Sequence, residues 1–319
     1  MNFRISVHCV VASVLAVAAS TAAAEYSDKP VRLIVPFAAG GTTDLLARVI
    51  TEQMPLVFGQ PMVIDNKAGA GGMLGAIEIS KAVANGYTLG LATVSTTAGV
   101  PALNPNVSYD PTTDFTSIMN IAATPNVLAI HPSLPVRDFR AFIALARSRP
   151  VKFSFASSGT GGISHPQIEL FKSLTGVVVP HIPYRGADPA LAGQVPVIFD
   201  NLPSTLPFIK EKRLIAIAVA APERLPLLPD VPTFKELGHE PVNRMAYYCL
   251  NGPKNLPYPV VVKVHMAVKK MLEDPGVRQR IEQTGSIIVG NMPEQFSALM
   301  RTEYAVYKRV VEQQKLKIQ

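Results

Sequence analysis

Three segments of this chain combine glycines, small hydroxyls and a few charges in a way that could hold an anion. The first is Pro36-Phe37-Ala38-Ala39-Gly40-Gly41-Thr42-Thr43-Asp44, between an apolar run and an amphipathic stretch. Glycines let backbone N–H groups approach a ligand closely, and a helix N-terminus adds partial positive charge. On that reading Phe37, Ala39, Gly40, Gly41, Thr42 and Thr43 line a carboxylate cradle. On the plainer reading the segment is a strand-to-helix turn in which Thr42 or Thr43 caps the helix and Asp44 answers its dipole. The second segment, Ser157-Ser158-Gly159-Thr160-Gly161-Gly162-Ile163-Ser164, repeats the same physics in the second half of the chain. One such loop says little; two suggest facing walls of a cleft. The third brings Tyr184-Arg185, and downstream Asp200. Arg185 can grip a carboxylate bidentately or stay a solvated charge. Asp200 can orient a polar ligand group or brace a contact between two halves.

Catalysis finds little support in the same residues. Ser157 or Ser158 with His165 could be a nucleophile and base, but the G-x-S-x-G elbow is missing and no acid completes a triad. The string Gly69-Ala70-Gly71-Gly72-Met73-Leu74-Gly75 imitates a dinucleotide fingerprint, yet Leu74 stands at its last glycine position. No His or Cys pair has metal-ligand spacing. The expectation is no catalytic residue, no metal and no cofactor.

The elements that must position these loops alternate. Val31 to Val35 reads as a strand, Thr43 to Phe58 as a helix with Leu45, Leu46, Val49, Ile50 and Met54 on one face. Met62 to Asp65 reads as a strand, Gly72 to Ala84 as a helix and Tyr87 to Thr93 as a strand, one half of a doubly wound unit. A second series runs from Val127 to Ile130 through helix Val136 to Arg147, strand Phe153 to Ala156, helix His165 to Leu174 and an extended Val177 to His181. Strands Val197 to Asp200 and Leu214 to Ala220 follow, then helices Pro259 to Leu272, Pro275 to Gln283 and Pro293 to Gln314. The class is α/β. The chain holds 28 prolines in 319 residues, above the usual ~5%, which favours stiff connections.

The N-terminus reads as a secretory leader: Arg4, an apolar Val10 to Ala19, and Ala22-Ala23-Ala24 before a cut after Ala24. The apolar part is shorter than the roughly 20 residues of a spanning helix. Cys9 falls inside it, so Cys249 remains alone and no internal disulfide is expected. What is left suffices for two domains at about 150 residues each. The formal charge is +7, yet charged residues make up only 17% and no basic stripe suggests nucleic acid. A modest positive excess suits an anionic small ligand.

Taken in order, KPVRLIVPFAAGGTTD, VIDNKAGAGGMLGA, NGYTLGLAT, SYDPTTDF, PNVLAIHPSLPV, FSFASSGTGGISH, HIPYRGADPAL, FDNLPSTLP and LPDVPTFKELG resemble the periplasmic solute-binding proteins of tripartite tricarboxylate transporters, the Bug receptors. The resemblance implies a two-lobed periplasmic-binding-protein fold of the Venus-flytrap type. Residues 1–24 would be the signal peptide, 25–125 with 245–319 lobe one, and 126–244 lobe two. It implies a small carboxylate held on Phe37, Ala39, Gly40, Gly41, Thr42, Thr43, Ser157, Ser158, Gly159 and Thr160, with His165, Tyr184, Arg185, Asp200 and Tyr247 lining the rest. The partner implied is a membrane permease, and the receptor would be a periplasmic monomer. A sensor subunit serving a kinase, or an exported hydrolase using Ser158 and His165, are the alternatives. The chain departs from the family pattern at Ala39, Thr42, Cys249, Pro196 and in the short segment 189–194.

Overall fold

A computed structural model of the protein describes residues 26–148, 154–157, 164–183 and 195–315. The expected leader (residues 1–24) and the segments holding Ser158, Gly159, Thr160, Tyr184, Arg185 and 189–194 lie outside the described residues. Strand β1 (Val31–Val35), helix α1 (Thr42–Phe58), β2 (Met62–Asn66), α2 (Met73–Ser80) and β3 (Thr88–Thr93) follow in the order read from the sequence. A π-helical turn Ser95–Gly99, the short helix α3 (Val100–Leu103), and strands β4 (Phe115–Thr124) and β5 (Asn126–Ile130) come next. Helix α4 (Phe139–Ser148), β6 (Phe155–Ser157), α5 (Ser164–Thr175), β7 (His181–Pro183), β8 (Val197–Asn201), α6 (Leu202–Lys210) and β9 (Ile215–Ala220) form the middle of the chain. It ends with β10 (Ala246–Pro253), α7 (Tyr258–Glu273), α8 (Pro275–Glu282), β11 (Ile287–Ile288) and α9 (Pro293–Gln314).

The strands make two mixed sheets, ordered β11-β4-β10-β3-β1-β2 and β7-β6-β8-β5-β9. In the first, β2, β1 and β3 are parallel, and β10 runs antiparallel between β3 and β4. In the second, β7, β6 and β8 are parallel, while β5 lies antiparallel to β8 and β9. Helices flank both sheets, giving the two-lobed α/β arrangement. The chain passes from the first sheet to the second between Thr124 and Asn126, and returns between the 3-10 turn Glu240–Val242 and Ala246. Helix α9 packs against β4 in the first half and against α5 in the second.

Burial explains the elements. Apart from Arg32, which pairs with Asp65 and Glu78, β1 is apolar and buried on both faces, because it is paired on both edges and covered by helices. Leu46, Val49, Ile50 and Met54 form the buried stripe of α1, whereas Leu45 stands out in solvent at 41% exposure, off the face assigned to it. Gly59 closes α1 with φ of +83°, the left-handed stop that glycine adopts without strain. Across β5 the side chains divide by period two: Leu128 and Ile130 enter one core, Val127 and Ala129 the other. The first of these cores holds Phe139, Phe142, Phe155, Phe171, Phe199 and Phe234. Phe155 meets Phe171 edge to face at 5.8 Å, and Phe139 meets Phe171 at 6.0 Å. Such pairs add about 0.5–1.5 kcal/mol each beyond area burial.

Strands β4 and β10 escape the sequence reading. β4 carries Ser117 and Asn120, and β10 ends in Asn251-Gly252-Pro253, residue types that favour turns. Both strands lie inside the sheet, where pairing on two sides overrides propensity. Helix α6 escapes for a similar reason, since Pro203 in its first turn and Pro207 inside it disguise the pattern.

Candidate functional site

The first glycine loop leaves the carboxyl end of β1, the usual ligand edge of an open α/β sheet. Gly40 takes φ of +86°, and Gly41 is extended and caps α1 with no side-chain hydrogen bond. Neither Thr42 nor Thr43 is therefore the cap. Asp44, 1% exposed, accepts the Gly40 N–H at 2.9 Å, the Arg48 Nε–H at 2.8 Å and an Asn66 amide hydrogen at 3.1 Å. Burial alone would raise the Asp44 carboxyl, but Arg48, the Gly40 N–H and Asn66 together hold it below the ordinary carboxylate range. Asn66 also donates to Phe37 O at 3.0 Å, fixing the start of the turn. Asp44 is thus the brace of the loop, and the Gly40 N–H is spent on it. The first helical bond is Leu45 N–H to Gly41 O at 3.0 Å. The N–H groups of the preceding first turn, at Thr42 and Thr43, have no intrahelical acceptor. Ala39 and Gly40 sit exposed on the rim, Phe37 is half-buried, and Thr42 and Thr43 lie at the buried base.

Two neighbours complete this wall. At the end of β2, Gly72 (φ +92°) and Gly75 allow α2 to press on the loop. A Cβ at Gly75 would stand 2.7 Å from Pro36 Cα, and one at Gly72 would stand 2.7 Å from Thr96 Cγ2. At the end of β3 the π-helical turn is tied down by Ser95 Oγ–H to Gly71 O (2.6 Å), Tyr109 O–H to Thr96 O (2.6 Å) and Thr97 Oγ1–H to Thr93 O (2.9 Å). Sequence reasoning passed over this turn, because a run of hydroxyls after a strand resembles an ordinary loop.

The opposite wall comes from the second sheet. Parallel pairing of β6 with β8 aligns Ala156 with Ile198, so Ser157 and Asp200 close the same carboxyl edge. Asp200 is 1% exposed, and Ser204 Oγ–H reaches it at 3.3 Å from the first turn of α6. His165 opens α5. Burial pushes its imidazole below the usual range, Glu169 opposing and Lys172 adding to the effect. Glu169 is committed to Lys172 at 2.9 Å, so the carboxylate one turn along α5 serves an ion pair. Pro196 precedes β8, where its missing N–H costs the ladder nothing, and its carbonyl accepts from His131 N–H at 2.8 Å.

The two walls meet at a residue absent from the sequence-derived site. Tyr248 is buried; its phenol lies near Thr42 and within reach of the Asp200 charge. Burial first, then Asp200, drive the phenol far above its ordinary range, with Thr42 working the other way. Tyr248 is therefore a neutral hydroxyl between the first loop and the second sheet. Tyr247, named from the sequence, points to the other side of β10. Its hydroxyl meets Thr97 Oγ1 at 2.5 Å and its ring packs on Phe296 at 6.0 Å. Once β10 is known to be a strand, period two separates these neighbours. The residue paired with Tyr248 across β3 is Thr93. The structure thus places Thr42 and Asp200 about the Tyr248 phenol, with Thr43 beside Thr42 in the first turn of α1, Ser157 at the end of β6 and His165 at the head of α5. Two surface grooves among the described residues lie elsewhere, one of about 550 Å³ beside Arg32, Glu78 and Tyr87 and one of about 450 Å³ beside Phe58 and Met266.

Comparison with known proteins agrees with the two-lobed fold. Residues 46–316 match the family described as the Tripartite tricarboxylate transporter family receptor. The chain is 32% identical to Protein BugT of Bordetella pertussis, the match covering 92% of each. MatC from Rhodopseudomonas palustris, solved with bound malate, superposes with a TM-score of 0.84 at 32% identity, covering 90% of this chain and all of that one. An R. palustris protein solved with adipate superposes with a TM-score of 0.86 at 31% identity, over 92% of this chain and 99% of the other. With its two mixed sheets and facing strand ends, the chain belongs to the tripartite tricarboxylate transporter receptor family.

Proposed function

We propose that the mature chain is a periplasmic receptor that closes two lobes on a small carboxylate and delivers it to the membrane permease of a tripartite transporter. Residues 1–24 act as the signal peptide, cut after Ala24. Residues 25–125 with 245–319 make lobe one, and 126–244 make lobe two. The observation that carries the reading is the convergence of Thr42, at the N-terminus of α1, and Asp200, at the end of β8, on the Tyr248 phenol. A carboxylate at the head of α1 meets first-turn N–H groups and the positive end of the helix. On the facing wall Ser157, Ser158, Gly159 and Thr160 supply the second set of donors. Tyr184 and Arg185 frame the ligand, and His165 presents a neutral ring. Malate and adipate in two related structures favour a small aliphatic carboxylate. The receptor works as a monomer and binds without turnover. Two to four charge-assisted hydrogen bonds at about 1.5–3 kcal/mol each, less ordering costs, reach micromolar Kd.

The test is a thermal-shift screen of the mature protein against mono-, di- and tricarboxylates, with calorimetric titration of each hit. A saturable hit weakened by Arg185→Ala supports the reading. A well-folded sample that responds to none of them overturns it.

A further inference from the structure

We propose that Gln167 is the positioning residue that pins helix α5 to both passages of chain between the lobes and so sets the balance between open and closed receptor. The inference rests on the two-lobe reading above. Gln167 lies in the first turn of α5 and is 2% exposed. Its Nε2 donates to Val242 O at 3.1 Å and to Arg244 O at 2.7 Å, both in the returning passage. Two backbone carbonyls can only accept, so the amide orientation is dictated by chemistry and Oε1 must face the other way. There it accepts from Asn126 Nδ2, the residue that follows Pro125 in the outgoing passage. One buried amide therefore joins two stretches of chain more than a hundred residues apart in sequence.

The surroundings show why this point matters. Asn243, between the two carbonyls, faces away and clamps Ala221 at the end of β9, with Nδ2 donating to Ala221 O at 2.8 Å and Oδ1 accepting its N–H at 3.1 Å. Arg244 then pairs through its guanidinium with Glu303 of α9. The returning passage is thus held to lobe two by Asn243 and to the last helix by Arg244, while Gln167 holds its backbone. Hinge rotation is absorbed by φ/ψ changes in such passages. The three bonds hold the backbone of both passages against α5, and losing them leaves buried polar groups unpaired, at a cost comparable to the bond itself. Gln167 thereby fixes where along the two passages the backbone can turn, and with it the interlobe geometry. Apparent ligand affinity scales with the fraction of receptor in the binding-competent geometry.

The experiment measures interlobe distance without ligand. Spin labels at Lys235→Cys and Lys269→Cys, both exposed and on different lobes, report a distance distribution, and the buried Cys249 stays unlabelled. Gln167→Met keeps the volume and removes all three bonds. The expected result is a shifted or broadened distribution relative to the labelled parent. Phe171→Leu, on the same helix, lowers the melting temperature while keeping the parent distribution. If Gln167→Met lowers the melting temperature but leaves the distribution unchanged, Gln167 is a stability residue only and the proposal fails. Should Gln167→Met not fold, Asn126→Ala, which deletes one bond, is read in the same way, and an unchanged distribution there is equally decisive. Because the readout needs no ligand, it stands apart from the carboxylate screen. A malate titration of the same variants then reads the coupling as a several-fold change in Kd.

Discussion

Tyr247 and Tyr248 are chemical twins whose roles differ because β10 alternates faces. Tyr248 lies by Thr42 and Asp200, while Tyr247 closes the core against Thr97 and Phe296. Tyr248→Phe is expected to cost about 1–2 kcal/mol of carboxylate binding, roughly a 5- to 30-fold rise in Kd by calorimetry. Tyr247→Phe should cost about 1 kcal/mol of folding stability in urea and leave Kd alone; the reverse pattern would move the site to the other face of β10. Asp44 makes a pH prediction. Its folded carboxyl titrates below the unfolded value of about 3.9. Its contribution is therefore complete above pH ~4 and is lost as pH falls through the folded value. Asp44→Asn should flatten the acid limb of the stability–pH curve below pH ~4. Arg48 lowers the carboxyl most, through a pair that its 56% exposure leaves open to screening by water, and the Gly40 N–H and Asn66 add to it.

At the scale of elements, the first loop owes its shape to the close seating of α2. Gly75 lets that helix approach the Pro36 backbone, and Gly90 in β3 leaves room for Ile79 one turn further along the same face, where a Cβ would come within 2.0 Å of Ile79 Cδ1. Gly75→Ala should push α2 outward and destabilise the fold by about 1–3 kcal/mol. The measurement is a urea midpoint at unchanged slope, and an unaltered midpoint would mean the helix relaxes without cost. This contact could not be read from the sequence, where Gly69 to Gly75 looked like a failed dinucleotide turn. β1 and α1 were legible, because a both-sides-buried strand and an amphipathic stripe leave a pattern in the residues themselves. β4 and β10 were not, because their burial comes from pairing with strands far away in the chain.

At the scale of the whole molecule, the chain is stitched across its two passages. Arg244 and Glu303, 26% and 12% exposed, link the returning passage to α9, with the buried Tyr307 phenol pushed up by burial and by Glu303. Glu303→Gln should cost about 1–3 kcal/mol, less than the ~3–5 of a fully buried pair, and lower the melting temperature by a few degrees. A melting temperature unchanged in low salt would show that the pair is idle. The sequence by itself determined the α/β class, the two glycine-bearing strand ends, the expectation of an exported binding protein and the family, because local periodicity and motif order survive in one dimension. Only the tertiary structure decided that Tyr248 rather than Tyr247 stands between the walls, that Asp44 spends the Gly40 N–H, and that Gln167 joins Asn126 to Val242 and Arg244. Each of those depends on contacts between distant segments, and which face a residue turns to them is settled by strand pairing and helix packing rather than by its neighbours in sequence.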